Sequence, residues 1–280
     1  MKDVVRRTAL LALLLGVALS SAGCEKERTA YALTSTGKIL GFDTGKPTKI
    51  DSEVSVSGLG SGESLVQIDY RPASASYYCV TNKARLCTVD PKTGAASLVS
   101  ATALVDDTLD NPVIDFSPAA DLLRVIAGER NLRVNPSDGR VAADTPVDYD
   151  GDDVNDGRAP RLAAVAYDRN RSDATSATLF GLDVTTQSLV RVGSKNGSPN
   201  SPNGGRLFTI APLSVAFTSN AGFDIEPDGD VAYAVLAGGG MGAALYRVDL
   251  STGLADRVDA IDDGDRTIIS LAIGPEETTQ

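Results

Sequence analysis

The chain repeats itself, and that constrains its fold more than any other feature. QIDYRPASASYYCV (Gln67–Val80), VIDFSPAADLLRVI (Val113–Ile126) and GFDIEPDGDVAYAV (Gly222–Val235) are copies of one pattern, and VAYDRN (Val165–Asn170) followed by TLFGL (Thr178–Leu182) is a looser copy. A second half-unit recurs as ILGFDTGKPTKI, RLCTVDPKTGAASLV, NLRVNPSDGRVAAD and LYRVDLSTGLADRV, each reading strand, Asp or Asn, turn, strand. Short Val/Ile/Leu/Tyr runs between Gly-, Pro- and Asp-bearing turns are the all-β signature. A repeat of about 45–55 residues with roughly four strands is that of a propeller blade.

Matching positions of the inner-strand motif are Asp69, Asp115, Ala166, Asp224 and Ala272, which gives five units. The first unit starts in mid-pattern at TAYALT, and the last stops after IISLAIGP, the inner strand alone. The two ends together complete one blade and remove the open sheet edge of the ring. The expected fold is therefore an all-β, five-bladed propeller closed by pairing of the N- and C-terminal strands. A β-sandwich of irregular repeats is the other architecture this pattern allows. The expected organisation is a signal segment over 1–23, a linker over 24–29, one propeller domain over 30–275 and a tail over 276–280.

The first residues read as an export signal. MKDVVRR is basic, TALLALLLGVAL is apolar, and SSAGC supplies small residues for cleavage. Ala22-Gly23-Cys24 resembles a bacterial lipobox, which would make Cys24 a lipidated N-terminus; Ser21 stands where that pattern has Leu or Val, so cleavage after Ala22 is the rival. Arg6 and Arg7 hint at twin-arginine export. The expected location is the cell envelope, periplasmic or outer-membrane face, with secretion as the alternative. After Cys24 two cysteines remain, Cys79 and Cys87, and CVTNKARLC between them reads strand, turn, strand. Facing antiparallel positions lie about 4.5–5.5 Å apart at Cα, within disulfide reach, so an exported chain should link them.

The formal charge is −11, with 26 basic against 37 acidic residues. Clustered Lys and Arg, which phosphate binding needs, are lacking, and nucleic acid is not an expected partner. The chain has no His, the commonest general base and metal ligand. No nucleophile elbow, P-loop, dinucleotide fingerprint or zinc-spaced ligand set is present.

With these repeats in register, the chain resembles the bacterial domain-of-unknown-function 4394 family. The resemblance rests on DFSP with LLRV, on NLRVNPSDG, on PNGGRL, on GDDVNDGRAPRLAAVAY and on GFDIEPDGDVAYA. It covers essentially all of the chain after residue 30 and implies an exported domain of propeller-like repeats without an assigned activity.

Three clusters are candidate sites. Aligning blades two and three places Cys79 against Val125 and Cys87 against Leu132, so Arg124 must face Arg133; the other blades put Tyr31, Tyr78, Phe180 and Tyr233 at the Arg124 position. Like charges opposite on a ladder repel. Either Asp115 or Asp121 lies between the guanidiniums, or Arg124 and Arg133, with Asn131 orienting, receive an anionic or sugar-carboxylate ligand. The inner-strand carboxylates Asp69, Asp115 and Asp224 are candidates for glycosidic cleavage, which needs two carboxylates at roughly 5–10 Å. Their repetition fits instead a stapling role, each Asp accepting backbone N–H bonds ahead of the following Pro. Lastly Asp148, Asp150 and Asp152 in DYDGDDVNDG have the one-three-five spacing of a calcium loop, but Asp153 stands where the turn wants Gly and Ala159 where the bidentate Glu belongs. A low-affinity calcium site or a solvated acidic loop follows.

The functional expectation is an exported, non-catalytic propeller scaffold that binds an unidentified protein or glycan of the envelope and meets the membrane only through a lipid on Cys24. A carbohydrate-active enzyme using the inner-strand carboxylates and a structural surface lipoprotein are the alternatives.

Overall fold

The computed structural model describes residues 28–227 and 231–275. Among these residues, short apolar runs set between Gly-, Pro-, Asn- and Asp-bearing turns form 21 strands in five sheets around one axis. Blade one contains β1 (Thr29–Thr34), β2 (Lys38–Asp43) and β3 (Ile50–Ser55). Blade two is β4 (Leu65–Arg71), β5 (Ser76–Thr81), β6 (Leu86–Val89) and β7 (Ala96–Leu98). Blade three is β8 (Val113–Ser117), β9 (Leu122–Ala127), β10 (Arg130–Val134) and β11 (Val141–Ala143). Blade four has five strands: β12 (Asp148–Tyr149) lies parallel to β16 (Arg206–Pro212), outside β13 (Leu162–Tyr167), β14 (Leu179–Asp183) and β15 (Ser188–Val192). Blade five is β17 (Gly222–Ile225), β18 (Ala232–Gly238), β19 (Met241–Val248) and β20 (Ala255–Ala260). The last strand, β21 (Ile268–Ile273), returns to blade one and pairs with β1, which closes the ring.

The inner strands pack in the closed order β21, β4, β8, β13, β17 and back to β21. The apolar core is accordingly five layers between adjacent blades. One, for example, joins Tyr78 and Val80 of blade two to Phe116 and Val125 of blade three. Small residues let the inner strands approach. A Cβ on Gly222 would lie 2.6 Å from the Leu271 Cβ and 2.7 Å from the Leu271 amide nitrogen, so blade five seats against blade one only with glycine there. Across the same junction Arg28 and Glu226 form a buried ion pair at 3.0 Å.

The repeat register is as the sequence implies. Tyr31, Tyr78, Arg124, Phe180 and Tyr233 each pair with the inner-strand position Ala272, Asp69, Asp115, Ala166 or Asp224 of their own blade. Cys79 faces Cys87 with Cα atoms 4.8 Å apart, and the two form a disulfide. Cys24 and the expected signal segment over residues 1–23 lie outside the described residues.

Candidate functional site

Two of the interior polar clusters gather the candidate residues. The first is on the axis. Asp69, Asp115 and Asp224 project from β4, β8 and β17, and one carboxylate oxygen of each lies within 4.8 Å of the others. None exposes more than 2% of its surface. Each ties its own strand to the next blade: the Phe116 amide donates to Asp69 Oδ2 (2.6 Å), the Tyr167 amide to Asp115 Oδ1 (2.9 Å) and the Ile273 amide to Asp224 Oδ2 (2.6 Å). The Tyr70 and Ile225 amides donate to the second oxygens of Asp69 and Asp224, both at 2.7 Å. The aspartates do accept backbone N–H bonds, but they staple blade to blade rather than tighten the turn before the proline. Where Ala272 takes the position, Ser270 and Gln67 make the junction instead, with the Ile68 amide donating to Ser270 Oγ (3.2 Å) and Gln67 Nε2 to the Ile269 carbonyl (3.0 Å).

Burial sets the acidity of this cluster. Burial pushes the Asp69 carboxyl well above the ordinary range, and the Asp224 charge adds to it. Burial does the same to Asp115, reinforced by Asp69 and Asp224, and lifts Asp224 to about 7. Among the described residues this is the set of three acidic side chains compact enough to hold a cation. Glycosidic cleavage requires two carboxylates flanking a sugar ring and its attacking water. Carboxyl groups this buried, with five of their six oxygens accepting backbone amides, leave no room for that ring.

The second cluster lies between blades three and four. Arg124 and Arg133 face each other across β9 and β10. The carboxylate between them is neither Asp115 nor Asp121. Asp115 belongs to the axis, and Asp121 makes a two-pronged pair with Arg71 of blade two (2.7 and 2.6 Å). The counter-ion is Asp144, which follows the edge strand β11. Its Oδ2 accepts from Arg124 Nη1 (2.6 Å) and Arg133 Nε (2.8 Å), and its Oδ1 from Arg133 Nη2 (2.8 Å). Burial raises the Asp144 carboxyl, the two guanidiniums outweigh it, and the group is held below the ordinary range. The sequence signal for Asp144 is fourth-strand pairing: once Ala142 is set opposite Arg133, the acid two residues on lies beside both arginines.

Asn131 supports this arrangement without facing a ligand. Its Oδ1 accepts from Arg124 Nη1 (2.8 Å), and its Nδ2 donates to the Thr145 and Pro202 carbonyls (3.0 and 2.9 Å). These bonds use both amide hydrogens and one of the two lone pairs of Oδ1, so its orienting role is exerted on Arg124. Arg124 Nη2 also donates to Asn203 Oδ1 (2.6 Å). Asn203 sits in the short 3₁₀ turn Pro202–Gly204, which ends at Gly205 with φ +67°. A Cβ at Gly205 would lie 2.1 Å from the Pro146 carbonyl oxygen, so glycine is required to bring that turn onto Arg124. The PNGGRL segment is thus part of the arginine site.

Above the arginines is a cavity of about 240 Å³, lined by Arg124, Arg133, Tyr167, Ser117, Ser176 and Asn203 among others. Arg124 is buried, whereas the Arg133 side chain is 34% exposed. Two of the other cavities among the described residues differ from it in chemistry. The axial mouth, about 380 Å³, is lined by uncharged residues that include Gln67, Asn82, Asn111 and Asn220. A groove of about 420 Å³ runs past Tyr31 and Tyr77, with Asp90 and Lys92 on its rim.

Asp148, Asp150 and Asp152 border one cavity, but among the described residues their carboxylates do not converge as a bound calcium ion requires. Asp148 begins the outer strand β12 and accepts from the Tyr149 amide (2.9 Å), and Asp150 pairs with Arg206 (3.0 Å). Asp153 instead turns inward, accepting from the Thr209 amide (2.6 Å) and hydroxyl (2.8 Å).

A family model described as a domain of unknown function, DUF4394, matches residues 38–272. The chain belongs to the DUF4394 family. No curated protein is significantly similar to it in sequence. Solved structures share the DUF4394 chain's fold at low identity. A protein of unknown function from Bacteroides thetaiotaomicron has a TM-score of 0.50 at 11% identity, covering 85% of this chain, which spans 55% of that protein. TolB from Acinetobacter baumannii has a TM-score of 0.50 at 14% identity, covering 89% of this chain and 67% of its own. At these identities the likeness concerns the fold.

Proposed function

We propose that this DUF4394 protein is an exported, non-catalytic binding scaffold of the cell envelope that captures a small ligand in the cleft between blades three and four. One observation carries the reading: at the position where four blades pack an aromatic ring, blade three places a buried guanidinium at the floor of an open cavity. An aromatic ring there fills space; an arginine, held by Asn131, Asn203 and Asp144, presents a fixed, pre-organised charge. The axial carboxylates serve the ring and leave no second set of reactive groups at the cleft. Export through the basic and apolar leader, with lipid attachment at Cys24, belongs to the same proposal.

A thermal-shift screen of small metabolites against the full chain and its Ser176→Trp variant tests the site. Ligands should raise the Tm of the parent and lose that effect when the indole occupies the cavity. Ligands that stabilise both equally, or a library that stabilises neither, would refute the cleft as the site. Globomycin, which blocks the lipoprotein signal peptidase, should cause the precursor to accumulate; processing that ignores it would exclude anchoring at Cys24.

A further inference from the structure

We infer that the ligand of this cleft is a compact monocarboxylate with a hydroxylated body, of the sugar-acid class. The inference rests on the cleft being the binding site proposed above, and it adds the charge and chemistry of what enters.

The charge follows from a local count. Arg124 and Arg133 bring two positive charges, and Asp144 answers one of them. Near the rim, Arg169 is paired with Asp168 at 3.2 Å and donates to Asn196 and to Ser176 Oγ. Tyr167 stays a neutral phenol, because burial raises it above its ordinary value against the opposing pull of Arg124. Behind it, burial and the neighbouring Asp69 and Asp224 charges push the Asp115 carboxyl well above its ordinary range, which disfavours a negative charge there. One positive charge is left over, in a protein whose formal charge is −11. A partly buried charge without a partner is costly, and a monoanion in the cavity supplies that partner.

The donors specify a carboxylate. A guanidinium carries five N–H groups in a planar fork. Arg133 spends its Nε and Nη2 on Asp144, and no described residue bonds its Nη1. The edge formed by Nη1 and the second hydrogen of Nη2 is therefore open, on a side chain 34% exposed at the cavity. That edge has the geometry for two parallel bonds to a carboxylate. A dianion fits less well: its second charge would lie against Asp144, because Arg124 Nη1 and Nη2 already serve Asn131, Asp144 and Asn203.

The walls specify the body. The volume of about 240 Å³ falls below the roughly 300–1,000 Å³ of sites for drug-sized ligands, so the occupant is of monosaccharide scale. Ser117, Thr175, Ser176 and Ser201 offer hydroxyls that donate and accept, as a polyol requires, while Leu122 and Ala177 give the apolar contact of a ring face.

Isothermal titration calorimetry of the full chain with D-galacturonate, D-glucuronate, D-galactose and inorganic phosphate tests this. At least one uronate should bind, with galactose and phosphate at least tenfold weaker. Arg133→Met should weaken the uronate at least tenfold while the Tm shows a folded protein. Ala120→Glu, which puts a negative charge on the rim without touching Asp144, should weaken it as well and leave galactose unaffected. Galactose or phosphate binding as tightly as the uronate would overturn the inference and leave the cleft standing as a site, provided Ser176→Trp abolishes that binding. Failure of both uronates to bind at millimolar concentration, or uronate binding indifferent to Arg133→Met and Ala120→Glu, would also overturn it.

Discussion

Replacing Asp224 by asparagine should convert a pH-dependent weakness into a constant one. In the native protein the Asp224 carboxyl is lifted from 3.8 to about 7, mainly by burial. Between those values the folded chain keeps a proton that the unfolded chain has lost, so stability falls as pH rises through this window and levels off above it. The span corresponds to about 4 kcal/mol. Asparagine removes this dependence, and it also relieves Asp69, whose rise is due in part to the Asp224 charge. The substitution has its own cost. Both Asp224 oxygens accept amide protons, from Ile225 and Ile273, and asparagine keeps an acceptor oxygen for only one of them, setting its –NH₂ donor against the other N–H. Leaving one buried amide unpaired costs about 1–3 kcal/mol at any pH. Urea unfolding of parent and variant at pH 4, 5.5, 7 and 8.5 should therefore show the variant weaker by about 1–3 kcal/mol in acid. At the alkaline end it should be level with the parent or more stable. A gap that stays constant across the series would refute the reasoning, because Asp224 would then be titrating alike in the folded and unfolded chains.

Other perturbations probe the rest of the architecture. Asp144→Asn leaves two guanidiniums facing each other without a counter-charge, and should cost about 3–5 kcal/mol by urea unfolding, the scale for removing one member of a buried charge network. Gly222→Ala forces a methyl against Leu271 at the closing junction and should cost about 1–3 kcal/mol on the same assay, as overpacking does. Converting both Cys79 and Cys87 to alanine should lower stability by about 2–3 kcal/mol, with m unchanged, since the loop they close is short.

Blade number, ring closure and cross-strand register were legible in the sequence because each is written several times over. Asp69, Asp115 and Asp224 aligned in the text and converge in space because a propeller brings equivalent positions to one axis. The same alignment placed Arg124 opposite Arg133. Their counter-ion was not legible. Asp115 and Asp121 lie close to Arg124 in sequence, whereas Asp144 arrives by pairing of a fourth strand only three residues long. Nor was the role of Asn203 visible: it lies 79 residues from Arg124, and its approach depends on the tight turn ended by Gly205. The acidic run after Asp148 shows a different limit: calcium-loop spacing is a local pattern, whereas Asp150 is engaged by a partner distant in sequence, Arg206.

The most direct test of the binding account is the position of a bound sugar acid in a crystal of the full chain soaked with D-galacturonate. The account predicts its carboxylate on the open Nη1/Nη2 edge of Arg133, with the ring against Ser117 and Ser176. A galacturonate found instead at the axial mouth beside Gln67 and Asn220, or in the groove beside Tyr77, would contradict it.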